Sequence, residues 1–153
     1  MPHATPLEMP PHLVQFLLGG QTCVVATVDA DGSPQTTVMT WAVARNPQTI
    51  ALAVDTRSRA MRNMRANGKV ALEVLGDNLC FGLRGTAVVE KEPMSSTPFP
   101  CALVAVKIED VRDHGAAGVR FVGPRYHFET GKEHRKGIED TIFAELKGPT
   151  PTI

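Results

Sequence analysis

The sequence has little of several features that would assign its class at once. Its three cysteines, Cys23, Cys80 and Cys101, are odd in number and far apart, which argues against a disulfide framework or a zinc knuckle. No apolar run approaches the roughly 20 residues that cross a bilayer. The amino-terminal residues lack the basic and apolar regions of a secretion signal. These absences predict a cytoplasmic protein that does not bind membranes.

An excess of charge of one sign is also missing, because Lys+Arg and Asp+Glu both number 16. Nucleic acid is therefore not an expected partner. The hydrophobic fraction of 42% is ordinary for a globular protein, and 153 residues are most simply one domain with a substantial core. We predict a single domain over 1–153, with an extended tail at 1–10.

Motifs of hydrolytic, metal or nucleotide chemistry are absent as well. The five histidines form no helical ligand pair, and His127 and His134 have no cysteine near them. Ser95-Ser96 lacks the glycine-flanked elbow of a serine nucleophile, and no glycine-rich phosphate loop occurs. Cys80 could be a reactive thiol, but a free cysteine in a strand is more often a small buried hydrophobe, and we interpret it so. The sequence thus predicts no metal site and assigns no catalytic acid or base.

What the sequence does contain is a series of short β-branched and apolar runs. They predict six strands, at 23–28, 34–44, 49–54, 70–75, 79–90 and 101–111. Helical spacing predicts one helix over 12–18 and another near 137–147, the latter in a C-terminal extension over 112–153 that also includes a short strand at 119–122. Ile138, Ile142 and Leu146 of the second helix are expected to pack against the barrel or against a second subunit. Six strands with few helices predict a mainly β protein, an antiparallel barrel with peripheral helices.

A short basic helix is predicted between the third and fourth strands. Thr56 or Ser58 can cap its start, and Asn67-Gly68 can end it. Three arginines recur every third residue and share roughly one side: Arg59, Arg62 and Arg65. A hydroxyl-bearing turn, a helix N-terminus and guanidinium groups can form a phosphate cradle. The alternative is an amphipathic connector with a solvated arginine face.

The predicted second strand could supply a surface for a flat ligand. Along it, Thr37, Met39 and Trp41 share one face, and Val38, Thr40 and Ala42 share the other. An aromatic ligand could lie across one face while its phosphate reaches Ser58 and Arg59. The alternative is that Trp41 and Met39 only fill the barrel.

Three segments, in their order and spacing, resemble the pyridoxamine 5′-phosphate oxidase-like, FMN-binding split-barrel family. They are the hairpin at 24–35 (VVATVDADGSPQ), Ser58-Arg59 followed by 62–72 (RNMRANGKVAL), and 83–87 (LRGTA). The similarity extends over roughly residues 10 to 111. It implies a six-stranded split barrel that is usually a homodimer, with FMN bound at each subunit interface.

The resemblance also implies which residues bind the cofactor. Ser58 and Arg59 would hold the phosphate, with Arg62 as a secondary candidate. Residues 37–40 would lie along the isoalloxazine ring, and residues 54–56 would line the site before the helix. The partner subunit would contribute from the strand around Cys80. With Trp41 added from the strand alternation, the full candidate set is Thr37, Val38, Met39, Thr40, Trp41, Val54, Asp55, Thr56, Ser58, Arg59, Arg62 and Cys80.

The sequence departs from the family pattern at four places. Ala60 stands where a lysine often follows the Ser-Arg pair, and Ala53-Val54 replaces the Tyr-Thr pair of true pyridoxamine-phosphate oxidases. Cys80 stands where those enzymes use a glutamine. Arg125-Tyr126-His127 has the letters of their Arg-x-His signature, but its surroundings differ. Oxidation of pyridoxamine phosphate is therefore not expected.

The function implied is that of a flavin-dependent oxidoreductase with an unassigned small-molecule substrate. Two alternatives stay open. One is a deazaflavin-dependent reductase of the same fold, whose anionic cofactor tail would suit Arg57, Arg62 and Arg65. The other is a non-catalytic flavin-binding or stress-related protein. Substrate selection is expected within 112–153, whose polar candidates are His114, Arg125, Tyr126 and His127.

Overall fold

The computed structural model describes residues 7–149, so most of the predicted tail at 1–10 lies outside the described part. In that part, three helices accompany seven strands. The helices are α1 (Pro11–Phe16), α2 (Arg59–Asn67) and α3 (Arg135–Lys147). The strands are β1 (Cys23–Val28), β2 (Pro34–Met39), β3 (Ala42–Asn46), β4 (Thr49–Asp55), β5 (Lys69–Gly76), β6 (Leu79–Lys91) and β7 (Cys101–Asp113). None of these three helices is long and apolar enough to span a bilayer.

The strands form one antiparallel sheet in the order β2-β1-β5-β6-β7-β4-β3. Sequence neighbours pair through tight turns, as in the β1–β2 and β5–β6 hairpins, while β7 returns to join β6 to β4. A mainly β, antiparallel architecture with peripheral helices is the fold class that the sequence predicts.

The number of strands is seven rather than the predicted six. The predicted strand at 34–44 is two strands, because β2 pairs with β1 whereas β3 pairs with β4. Thr40 and Trp41 lie between them, where the chain passes from one edge of the sheet to the other. Residues typical of strands continue without a break from β2 through Thr40 and Trp41 into β3. The sequence pattern therefore does not indicate that the two halves pair with different strands.

The main core lies inside the curved sheet and is closed by the first two helices. β1 and β5 alternate buried and half-buried residues, as strands with one inward face should. Leu13 of α1 and Met61 and Met64 of α2 are buried in this core, and each such side chain stabilises the fold by roughly 1.5–3 kcal/mol. The amide of Asn63 adds hydrogen bonds to Thr27 Oγ1 at 3.0 Å and Asp29 Oδ1 at 2.9 Å, which dock α2 onto the β1–β2 hairpin.

A second apolar cluster lies on the other side of β4, where α3 covers the sheet. Ile142 and Leu146 are fully buried there, as expected from the helical spacing, against β3, β4 and β7. Ile138 does not pack against the sheet of its own chain, because its side chain is 39% exposed, and its packing against a second subunit stays a prediction. Glu139 occupies the buried position one turn before Ile142, since two polar donors from outside α3 satisfy its carboxylate.

The segment between β7 and α3 is irregular, and the strand predicted at 119–122 does not form. Its backbone meets the β5–β6 turn through one hydrogen bond, from the Asn78 amide to the Phe121 carbonyl at 2.7 Å. Two salt-bridge contacts of Arg120 with Asp77 lie beside it. Val119 and Val122 are 54% and 81% exposed, so this run buries too little apolar surface to hold a strand against the sheet.

Candidate functional site

A cleft of about 280 Å³ opens between β2, β4, the first turn of α2 and the start of β7. Eight of the twelve predicted cofactor residues line it. The lining residues are Thr37, Val38, Met39, Thr40, Trp41, Ala53, Val54, Asp55, Ser58, Ala60, Phe99 and Cys101. The β2–β3 crossing and the β4–α2 turn meet here because both follow strands at one end of the barrel.

Ser58 caps α2 at the polar end of this cleft. Its Oγ accepts a hydrogen bond from the Met61 amide at 3.1 Å and donates one to the Asp55 carbonyl at 2.8 Å. Gly68 ends the helix with a φ of 72°, in the left-handed region that glycine favours. Within the described residues, the amides of Arg59 and Ala60 in the first turn have no hydrogen-bond partner. This end of the cleft is therefore suited to an anion.

The arginines around α2 differ in what they contact. Arg59 Nη1 donates to Gln35 Oε1 at 3.1 Å, across the mouth of the cleft. Arg57 forms a bidentate salt bridge with Asp55, in which Nε donates to Oδ1 and Nη2 donates to Oδ2, each at 3.2 Å. Hydrogen bonds from Arg57 hold the pKa of Asp55 below its usual range, so this cleft carboxylate is ionised but partly neutralised. Arg62 and Arg65 are both exposed, and Arg65 forms an ion pair with Glu92.

The apolar end of the cleft is built around Trp41. Its ring stacks on Phe99 with the centroids 5.6 Å apart, and its Nε1 donates to Glu139 Oε2 at 2.7 Å. Tyr126 donates from its hydroxyl to the other oxygen of Glu139, at 2.8 Å. Burial, together with the Glu139 carboxylate, raises the pKa of Tyr126 to about 12. The C-terminal segment thus fixes the orientation of the only tryptophan in the sequence.

Sequence reasoning missed Glu139 and Phe99 at this end. A signal for Glu139 does exist, because it is a carboxylate in the position that a buried stripe of α3 would give to an apolar residue. Phe99 lies in the proline-rich stretch at 93–100, where no periodicity indicates which way a side chain points.

Four predicted residues lie outside the lining of the cleft. The Thr56 amide and hydroxyl both donate to the Pro100 carbonyl, at 3.1 and 3.3 Å. Arg59 and Arg62 project from α2 as exposed side chains. Cys80 lies on β6, so within one subunit it does not reach the cleft. A contact between Cys80 and the cofactor requires a second subunit and stays a prediction.

Cys80 instead belongs to a polar cluster with Glu73 and His114. His114 Nδ1 lies 2.8 Å from Glu73 Oε2 and 3.0 Å from Oε1, and Cys80 Sγ lies 3.6 Å from Oε2. A separate cavity of about 330 Å³ borders Glu73 and His114. The prediction that no metal site exists considered the histidines and cysteines without Glu73. The missed signal is the β5–β6 hairpin, whose register brings Glu73 and Cys80 onto one face.

An antiparallel barrel with a cleft beside a capped basic helix defines the class of split-barrel proteins. The chain belongs to the pyridoxamine 5′-phosphate oxidase family, whose model matches residues 9–116. No curated protein sequence gives a match.

Solved structures share this fold. A predicted pyridoxamine 5′-phosphate oxidase from Lactobacillus delbrueckii is 25% identical, with a TM-score of 0.61, and the match covers 73% of this chain and 99% of that one. An FMN-binding protein from Syntrophomonas wolfei is 18% identical, with a TM-score of 0.52 and coverage of 72% and 86%. An F420 reductase is 20% identical, with a TM-score of 0.56 and coverage of 68% and 98%. The heme storage protein HutZ from Vibrio cholerae also has this fold, at 16% identity and a TM-score of 0.55.

Proposed function

We propose that this protein binds FMN in the cleft beside α2 and acts as a flavin-dependent oxidoreductase. The observation that carries the proposal is the polarity of the cleft. One end has a capped helix N-terminus with two free amides, and the other end has apolar side chains around Trp41. A molecule that joins a phosphate to a flat apolar ring matches both ends.

At the phosphate end of the cleft, backbone amides would contribute more to binding than side chains would. The amides of Arg59 and Ala60 and the positive end of the α2 dipole attract an anion. The Ser58 hydroxyl already donates to Asp55, so its main role is to hold the helix start in place. Arg59 can turn from Gln35 to the phosphate, because it is exposed and its present partner is neutral.

The ring of the cofactor would lie against β2, which is one of the two edge strands of the sheet. An edge strand leaves alternate backbone amides and carbonyls without a strand partner, and these can pair with the polar edge of a flavin. Met39 and Trp41 supply apolar surface beside them. When bound, the flavin supplies the electron-transfer chemistry, while the protein orients it and excludes water.

A homodimer with one cofactor at each interface completes this proposal. A single chain provides one side of the cleft, and Val38 on its rim is 64% exposed. A second subunit would cover that rim and the remaining side of the ring. The substrate is not pyridoxamine phosphate in this proposal, because Ala53-Val54 and Ala60 replace residues of the true oxidases.

A deazaflavin cofactor is the second candidate. The fold is shared with an F420 reductase, and the exposed Arg62 could meet a long anionic tail. Arg57 and Arg65 are weaker contributors, because each already pairs with a carboxylate. A competition titration of FMN against the deazaflavin decides between the two.

The first experiment is the absorption spectrum of the purified protein, followed by titration with FMN and with riboflavin. We expect visible flavin bands, one FMN per subunit and tighter binding of FMN than of riboflavin, which lacks the phosphate. A protein that binds neither flavin contradicts the proposal, and a heme spectrum would assign another cofactor. Reduction of bound FMN by a nicotinamide nucleotide, with turnover of an added acceptor, then separates an oxidoreductase from a storage protein.

A further inference from the structure

Away from the cleft, we propose that Glu73, Cys80 and His114 form a binding site for a divalent transition metal ion, with Zn²⁺ as the best match. The three side chains come from β5, β6 and the residue that follows β7. This proposal does not rest on the flavin proposal, because none of the three residues lines the cleft of its own subunit and the three ligand atoms lie together within one chain.

The distances between the three ligand atoms are close to those of a metal centre. The three atoms, one from each side chain, all lie within 4.8 Å of one another. A tetrahedral Zn²⁺ ion with bonds of about 2.0–2.3 Å holds its ligand atoms roughly 3.3–3.8 Å apart. His114 Nδ1 and Glu73 Oε2 are 2.8 Å apart, so a small separation of these side chains would admit the ion. The ion would take the place of the hydrogen bond between them.

The position of the imidazole depends on a glycine. A Cβ atom added to Gly82 would lie 2.3 Å from His114 Cε1, so the ring occupies the space that a side chain at 82 would fill. The backbone adds to this placement, because the His114 amide donates to the Cys80 carbonyl at 2.9 Å. The strand pairing of β6 with β7 thus brings the histidine over the cysteine on the neighbouring strand.

The donor set favours a transition metal over Mg²⁺ or Ca²⁺. A thiolate and an imidazole are ligands that Zn²⁺ prefers, whereas the hard cations take oxygen ligands. Glu73 and a deprotonated Cys80 together balance the charge of a divalent ion. Three protein ligands leave a fourth position for water, and the adjacent cavity of about 330 Å³ borders Glu73, Gly82 and His114.

Cobalt is the probe that tests this proposal, because Co²⁺ bound by a thiolate gives a charge-transfer band and visible d–d bands. The full-length protein is treated with a chelator, exchanged into chelator-free buffer and titrated with Co²⁺. We expect one Co²⁺ per subunit with both spectral features, and loss of both when Zn²⁺ is added. Absence of the charge-transfer band, or of saturation at one ion per subunit, contradicts the proposal.

Variants then locate the ion. Cys80→Ser should abolish the charge-transfer band, and His114→Gln should weaken Co²⁺ binding at least tenfold, with the exposed His127→Gln as the matched control. Gly82→Ala retains all three ligands but displaces the imidazole, so it should also weaken binding. Its control is Gly137→Ala, where an added Cβ meets nothing within 4 Å. If His114→Gln and Gly82→Ala, both folded by circular dichroism, bind Co²⁺ as the unmodified protein does, the site is not this one.

Discussion

The two candidate sites described above lie at opposite ends of β7, and they are built in opposite ways. At the Cys101 end, the cleft is lined mainly by apolar side chains and offers unpaired amides at a helix start. At the other end, His114 follows the strand and joins Glu73 and Cys80 in a cluster made of side chains. Backbone donors favour an anion, whereas a carboxylate and a thiol favour a cation.

The two ends also differ in how they are covered. α3 packs over the cleft end, where Glu139 bonds Trp41 and Tyr126, and Glu145 bonds the loop that leads into β7. His114 at the opposite end is followed by the exposed residues 115–120. The cleft is therefore the more extensively covered of the two sites, with an α-helix packed and hydrogen-bonded over one end of it.

Ser58→Asp should have the largest effect, because it reverses the preference of the cleft for an anion while keeping the cap. Aspartate caps a helix as well as serine does, but its charge repels the phosphate. Two unit charges 4 Å apart near a surface interact by about 4 kcal/mol. We expect FMN affinity to fall at least 100-fold, or about 2.7 kcal/mol, measured by fluorescence titration.

Two controls accompany this prediction. Ser58→Thr, which keeps the cap without charge, should bind FMN nearly as the unmodified protein does. Riboflavin should bind Ser58→Asp with little change. An equal loss for riboflavin and FMN would show that the aspartate disturbs the cleft itself rather than a phosphate contact.

Glu145→Gln should weaken the contact between α3 and the loop that leads into β7, and so lower the free energy of unfolding. Burial opposes its ionisation, but hydrogen bonds from Lys91, Ser95 and Ser96 prevail and lower the pKa of Glu145 to about 2 from 4.5. The charged form is thus favoured by folding. We expect the variant to lose about 2 kcal/mol of stability at neutral pH, measured by urea unfolding, with the exposed Glu129→Gln as control.

The pH dependence of that loss follows from the direction of the shift. A carboxyl whose pKa is lowered by folding stabilises the protein fully above its unfolded pKa, and this contribution disappears as the pH falls from about 4.5 towards about 2. The difference between Glu145→Gln and the unmodified protein should shrink over that window. A difference that stays constant with pH would indicate lost packing instead of lost charge.

Ala60→Lys should strengthen the anion preference of the cleft by a smaller amount. Ala60 lines the cleft at the first turn of α2, so a lysine there can extend towards a bound phosphate. A charge-assisted hydrogen bond contributes about 1.5–3 kcal/mol, part of which is offset by ordering the side chain. We expect roughly tenfold tighter FMN binding. Ala66→Lys, exposed on the same helix, should change it little.

Glu139→Gln should have the smallest effect, a change in the pKa of Tyr126 and in the fluorescence of Trp41 at the apolar end of the cleft. The sequence has one tyrosine and one tryptophan, so neither signal is averaged over several residues of the same kind. Burial and Glu139 raise the pKa of Tyr126 to about 12, and removal of the charge should lower it part of the way towards 10. Tyrosinate absorbance measures this pKa, and Trp41 fluorescence should change in the same variant. An unchanged tyrosine pKa would contradict the Tyr126–Glu139 hydrogen bond.

The sequence predicts the cleft better than the cluster because the two depend on different kinds of information. Caps, turns and strand alternation are local, and together with the family resemblance they select Ser58, Met39 and Val54, which the structure brings to the lining of one cleft. The cluster depends on pairing between three strands, and no local pattern joins Glu73 to His114, 41 residues later.

The division of the strand at 34–44 escapes prediction for a related reason. Alternation reports which face of a strand is buried, but it does not report which strand is the partner. The contacts of the C-terminal segment are the hardest to predict from the sequence. Glu139 accepts hydrogen bonds from Trp41 and Tyr126, which are distant in sequence and meet it only in the folded chain.

The most direct test of the cleft is an FMN titration of the full-length protein followed by Trp41 fluorescence. A flavin lying against this ring should quench the emission and reach saturation at one FMN per subunit, with flavin absorbance giving the same affinity. FMN binding that leaves Trp41 emission unchanged, or no FMN binding at all, would contradict the account.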